Sequence, residues 1–312
     1  MCSTGVPIIF IHLGDAPPAY LASAVKQARL WNPNAPIVCI SSVIQDYSCG
    51  EEWVSVNTIP MGESHTRFLE TTRLPGEKYD KGFWQWTTER LFVLNDWMTW
   101  KGVRECFHLE NDNMLYQNIE DIIPLLRAVS PGLSTTFQGQ GAQRISLRAC
   151  FSVMYCCSVD ALSNFLFYLA ATPSIMAEME RGGLYWLDTP EECSYLPTAP
   201  VGVVLDSERY RSWFEDERFK ELGIIFDSAM YGQILGGIDT RGEIPSETQG
   251  KGYVNPDSEM RADQYEYVWR KDELGRRYPT IKDTSGKVWK IANLHIHCKR
   301  LADFSSYNHS LC

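Results

Sequence analysis

The sequence lacks any uninterrupted apolar run of about 18 residues, so no membrane span is predicted. Its first residues, Met1 to Pro7, carry neither a basic segment nor a small-residue cleavage site, so no secretory signal is predicted. Ten cysteines are present, but none are spaced as Cys-x-x-Cys, which argues against a zinc ribbon. A basic surplus is also missing. Lys and Arg number 29 against 39 Asp and Glu, a net charge of −10, which argues against a broad surface for nucleic acid. No internal repeat and no low-complexity linker interrupts the chain.

What is there is ordinary globular composition over 312 residues, 44% of them hydrophobic, enough to build one large α/β domain. Cys39 and Cys106 lie inside apolar runs, where a thiol acts as a small hydrophobe. Cys156 and Cys157 are adjacent, a poor arrangement for a disulfide. The cysteines are therefore expected to be reduced, in a cytoplasmic protein.

Pro7 to Leu13 predicts a strand, Tyr20 to Trp31 a helix and Ile37 to Ser41 a second strand, a β-α-β unit of a parallel sheet. Further strands are expected at Val54–Val56, Arg104–Leu109 and Ile145–Tyr155, with helices at Phe83–Trp100, Asn118–Val129 and Asp160–Ala171. Beyond about residue 173, Pro, Gly, Tyr and Trp become frequent. Strands are expected there at Val201–Leu205, Tyr265–Trp269 and Asn293–His297, with a loop-like segment from Gly236 to Asp263.

The sharpest feature is Cys106-Phe107-His108-Leu109-Glu110-Asn111-Asp112. An apolar strand runs into two carboxylates separated by one residue, at the strand end where open α/β sheets bind ligands. Read as continuing strand, the two carboxylates share a face, and their oxygens suit Mg²⁺ or Mn²⁺. Near the C-terminus, Asn293-Leu294-His295-Ile296-His297-Cys298-Lys299-Arg300 offers two histidines at i and i+2, then a basic pair. An imidazole suits Mn²⁺ and a cation suits a diphosphate. Together these features compose a metal–diphosphate site.

This combination resembles the GT-A-fold glycosyltransferases, which use nucleotide-sugar donors. Glu110-Asn111-Asp112 stands where they carry D-x-D, with Glu for the first Asp, and His295-Ile296-His297-Cys298-Lys299 looks like the H-x-H-[SC]-K ending of bacterial and large-virus members. Phe83 to Arg90 resembles the helix before the acidic motif, Leu187-Asp188 sits where relatives carry an acceptor-side acid, and Phe226 to Gly237 is similar to an F-D-G-A-x-x-G-Q-x-L-G-G stretch. The resemblance spans about residues 7 to 304.

It implies a Rossmann-type mixed sheet flanked by helices. Residues of about 7–130 would form a nucleotide-binding half, and about 131–312 an irregular acceptor half that completes the metal site. It implies a metal-dependent glycosyltransferase moving a hexose or pentose from a nucleotide-diphosphate sugar, UDP favoured, to a hydroxyl of a glycan or glycoconjugate. Glu110, Asp112 and His295 or His297 would hold Mn²⁺ or Mg²⁺. His12, Gly14, Asp15, Arg90, Glu110, Asn111 and Lys299 would hold the nucleotide sugar. Asp188 and Asp227 are the candidate catalytic residues, either one as the general base of an inverting reaction and Asp188 also as the stabilising group of a retaining one. Tyrosines and tryptophans from Tyr185 to Trp269 would cover the core, some lining an acceptor groove. The competing readings are a non-catalytic carbohydrate-binding protein on the same fold and a nucleotidyltransferase. The latter is disfavoured because His12 to Tyr20 holds one Gly and no Lys or Arg.

Overall fold

Strands form where the sequence sets short continuous apolar runs, because the central strands are buried on both faces. The computed structural model describes residues 5–72, 74, 82–138, 148–171, 178–202, 211–237, 252–253 and 260–307. In chain order they give β1 (Ile8–His12), α1 (Leu21–Trp31), β2 (Ile37–Ser41), β3 (Glu52–Ser55), α2 (Glu63–Thr71), α3 (Phe83–Lys101), β4 (Cys106–Leu109), β5 (Asn113–Leu115) and α4 (Ile123–Val129). Then come β6 (Leu133–Phe137), β7 (Ala149–Cys156), α5 (Val159–Ala171), α6 (Glu178–Asp188), β8 (Cys193–Leu196), α7 (Arg211–Phe214), α8 (Glu217–Lys220) and β9 (Ile224–Ile225). The chain continues through α9 (Met230–Gly236), β10 (Glu266–Lys271), β11 (Arg277–Lys282), β12 (Val288–Ile291) and β13 (Asn293–His295).

The fold is α/β, a seven-stranded mixed sheet flanked by helices, in the order β3-β2-β1-β4-β7-β6-β8. β1 pairs in parallel with both β2 and β4, so His12 and Leu109 end at the same edge of the sheet. β7 runs antiparallel to β4. Side chains alternate between two cores. Ile8, Phe10, Phe107 and Leu109 face α1 and the C-terminal half, while Ile9, Ile11, Val38 and Cys106 face α2, α3 and α5. Each such buried side chain contributes about 1.5–3 kcal/mol.

A second sheet, β10-β11-β12-β9, comes from the C-terminal half, and the small antiparallel pair β13-β5 joins that half to the N-terminal one. One apolar core runs from Val6 to Phe304, so the two halves share it. Several boundaries differ from expectation. Val201 and Gly202 form a turn, not a strand start, and residues 203–205 lie outside the described ones, as do residues 145–147 and most of the segment after Gly236. The strand at Asn293 stops at His295, and His297 sits in a turn. Tyr185, Trp186, Tyr231 and Tyr265 are buried in the core, and Tyr195, Trp213, Tyr267 and Trp269 pack half-buried against it; Tyr210 lies outside the described residues. Among the described residues no helix is long and apolar enough to cross a membrane. All eight described cysteines are free thiols.

Candidate metal and diphosphate site

The site begins where β4 ends. The chain leaves the sheet at Glu110 and turns, with Asn113 N–H donating to Glu110 C=O at 3.1 Å, before β5 starts. The two carboxylates therefore converge through a turn and not through strand alternation. β13 then pairs antiparallel with β5, setting His295 opposite Asn113, and Ile296 N–H donates to Asp112 C=O at 2.9 Å. That pairing carries the His295 ring to the carboxylates. Its Nε2 lies 3.1 Å from Glu110 Oε2 and 3.2 Å from Asp112 Oδ2.

One donor atom each from Glu110, Asp112 and His295 lies within 4.8 Å of the other two. An ion about 2.2 Å from adjacent octahedral ligands separates them by about 3.1 Å, close to the observed spacing. Two oxygens and one imidazole suit Mn²⁺ or Mg²⁺. The residues present thus fit the ion that the resemblance implies. His297 stays out of this group: its Nδ1 accepts from Gln233 Nε2 at 3.0 Å, and its ring stands edge-on to His295 at 4.4 Å.

The charges are tightly balanced. Burial opposes ionisation of Glu110, but Arg90 and His295 hold its pKa down at about 2. Burial likewise opposes the charge on Asp112, yet His295 and Lys299 keep it well below the usual carboxylate range. For His295, burial is outweighed by Asp112 and Glu110, which push its pKa up. His297 is driven down to about 3 by burial and by the cationic neighbours His295 and Lys299. Lys299 takes the left-handed region at φ 59° and ion-pairs with Asp112.

Arg90 does not face an open site. It is buried, paired with Glu110 and 3.8 Å from Glu178, so it anchors the first carboxylate. Asn111 Nδ2 meets His12 Nδ1 at 3.0 Å, joining the ends of β4 and β1. Burial lowers the pKa of His12, consistent with a neutral ring accepting that bond. Gly14 and Asp15 are exposed at the rim beside it. A side chain at Gly14, where φ is +96°, would strike the Trp86 ring at 2.9 Å, so the turn and the packing both require glycine.

Neither candidate catalytic aspartate belongs to the metal-ligand group. Asp188 ends α6 and is exposed. It lies about 15 Å along that helix from Glu178, the residue that approaches Arg90. Asp227 is fully buried, accepting from the backbone N–H of Tyr231 at 2.9 Å, Gly232 at 2.8 Å and His295 at 2.9 Å. These three bonds hold α9 against β13. Burial raises its pKa against the pull of those bonds and of His295.

Sequence reasoning missed Glu178, Cys150 and Gln233. Glu178 is buried, accepts from Thr88 Oγ1 at 2.9 Å, and lies in an acidic segment with no local pattern to mark it. Cys150, on β7, helps raise the pKa of His295. Gln233 was inside the quoted Phe226–Gly237 string, and its partner His297 was the available signal.

No protein-family model and no curated protein matches the chain. Among solved structures it is similar to mouse xyloside xylosyltransferase 1, at 10% identity and TM-score 0.44, over 69% of this chain and 95% of that one. A galactosyltransferase, LgtC, solved with donor and acceptor sugar analogues, is similar at 12% identity and TM-score 0.41, over 83% of this chain and 90% of that one. A putative glucose-1-phosphate thymidylyltransferase from Bacillus anthracis is similar at 9% identity and TM-score 0.36, over 62% of this chain and 87% of that one.

Proposed function

We propose that the chain is a GT-A-type glycosyltransferase that moves a sugar from a nucleotide-diphosphate sugar to a hydroxyl of a glycan or glycoconjugate. The observation that carries this is His295 Nε2 set 3.1 and 3.2 Å from Glu110 and Asp112, at the end of β4. Glu110, Asp112 and His295 would hold Mn²⁺ or Mg²⁺, which when bound offsets charge developing on the leaving diphosphate.

The chain's own residues do the rest. Arg90 fixes Glu110 in place, and Asp227 fixes the backbone of His295. Lys299, on the turn after β13, supplies a cation for a phosphate oxygen. His12 and Asn111, bonded across the ends of β1 and β4, are positioned to meet the nucleoside, with Gly14 and Asp15 at the rim. Asp188 and Asp227 serve no general-base role in this proposal. The pairing of β5 with β13 supports one catalytic unit, and the free thiols favour a cytoplasmic setting.

The test is stabilisation of the protein by nucleotide-diphosphate sugars in Mn²⁺, repeated with Asp112→Ala. A Mn²⁺-dependent rise in Tm that Asp112→Ala removes is expected. Equal stabilisation of the variant overturns the metal–diphosphate assignment.

A further inference from the structure

A cavity of about 390 Å³ opens beside Gly14, between the segment following β3, the start of α2 and the stretch of α3 from Trp86 to Asp96. That volume lies within the range of about 300–1,000 Å³ typical of small-ligand sites. Two of its lining residues, Leu13 and Gly14, follow directly on His12, whose ring is bonded to Asn111 between the two carboxylates. The walls are flat and apolar: the Trp86 ring, Val56, Ile59 and Val93.

Two polar side chains face each other inside it. His65 is 4% exposed and gripped through Nδ1 by Asp96 Oδ2 at 2.7 Å. Asp96 Oδ1 accepts from Gly62 N–H at 3.1 Å, so that carboxylate is committed. The other ring nitrogen, Nε2, is buried and makes no hydrogen bond; its nearest acidic neighbour is Glu89 Oε1 at 3.5 Å. Burial opposes charge on His65, but Asp96 and Glu89 outweigh it and raise its pKa to about 9, so Nε2 carries a proton. The cavity thus offers one N–H donor beside a carboxylate with two acceptor oxygens.

We propose that this cavity takes the base of the donor nucleotide and that the base is guanine, read on its Watson–Crick edge by Glu89 and His65. The inference rests on the donor reading given above. Guanine presents O6 as an acceptor next to two donors, N1–H and the N2 amine. His65 Nε2–H meets O6, and the Glu89 carboxylate accepts from both donors in a charge-assisted bidentate contact. Uracil has a single N–H flanked by two carbonyls, so one carbonyl would face a carboxylate oxygen. Adenine provides only one amine for the carboxylate. A site built around such buried polar groups rejects bases that leave them unpaired. Guanosine therefore replaces the uridine that the resemblance favours.

The experiment measures affinities of GDP, UDP, ADP and inosine diphosphate in Mn²⁺ by calorimetry, on the wild-type chain and on Glu89→Gln. GDP is expected to bind at least about tenfold tighter than UDP or ADP. Inosine diphosphate, which lacks only the N2 amine, is expected to lose about tenfold against GDP on the wild type. Glu89→Gln should bring GDP and inosine diphosphate together. The inosine comparison needs no variant and stands even if Glu89→Gln folds poorly. UDP or ADP binding as tightly as GDP, or inosine diphosphate matching GDP on the wild type, overturns the base assignment while leaving the metal–diphosphate reading intact. Failure of every diphosphate to bind in Mn²⁺ overturns the donor reading itself, and this inference with it.

Discussion

Asp227→Asn separates a structural carboxylate from a catalytic one. In the wild type, Oδ1 accepts from Tyr231 N–H, and Oδ2 accepts from Gly232 and His295 N–H. An amide cannot reproduce this. If its NH₂ replaces Oδ2, two backbone donors lose their acceptor. If it replaces Oδ1, one does, so the variant will adopt the second arrangement. A lost hydrogen bond to a charged group costs about 1.5–3 kcal/mol. Removing the buried charge returns part of the desolvation that raises the pKa of Asp227. The net loss is therefore about 1–3 kcal/mol.

Over 312 residues the unfolding entropy is about 0.65 kcal/mol/K, so each kcal/mol shifts Tm by about 1.5 °C. Asp227→Asn should lower Tm by about 1.5–4.5 °C by calorimetry. Because the lost bond loosens the packing of α9 on β13, Mn²⁺ affinity should fall in the same sample. A variant within 1 °C of wild type, with full Mn²⁺ affinity and no sugar transfer, would refute this reasoning, because that pattern belongs to a general base.

Three further outcomes follow from the same geometry. His295→Ala should weaken Mn²⁺ binding by at least about a hundredfold in a calorimetric titration, while His297→Ala, which removes only a neighbour held by Gln233, should change it less than about tenfold. Gly232→Ala should cost about 3 kcal/mol or more in denaturant unfolding, since the new Cβ would stand 2.0 Å from the His295 carbonyl oxygen, a backbone atom. Stability should also depend on His65: its folded pKa of about 9 lies above the ordinary 6.5, so its contribution is complete below pH 6.5 and is lost as pH rises through 9. The difference in unfolding free energy between wild type and His65→Gln should shrink by up to about 3 kcal/mol across that window; a constant difference would rule out the ion pair with Asp96 and Glu89.

The N-terminal half was legible because its strands are buried on both faces. Ile8–His12 and Ile37–Ser41 are continuous apolar runs, bounded by turn residues, with an amphipathic helix between them. Less regular elements escaped. α6 contains Gly182-Gly183, which breaks a helical pattern, yet a side chain at Gly182 would strike Phe151 at 2.8 Å. The glycine is there for close approach of α6 to β7, which only tertiary structure explains. β5 is three residues long and follows directly on the acidic motif.

The site divides in the same way. Glu110, Asp112 and His295 were legible because their chemistry is carried by residue type at a strand end. What selects His295 over His297 was not legible, because i and i+2 positions look equivalent in sequence. The choice is made by the end of β13 at His295, and by a buried chain of bonds: Asn293 Nδ2 to Asn113 Oδ1 at 2.6 Å, and Asp227 N–H to Asn293 Oδ1 at 3.0 Å. These partners are 180 and 66 residues apart. Partners distant in sequence likewise hid the role of Arg90 as an anchor for Glu110 and made Asp227 resemble a base. A carboxylate that is fully buried and held by three backbone donors is closed to a substrate proton, and only the fold reveals that burial.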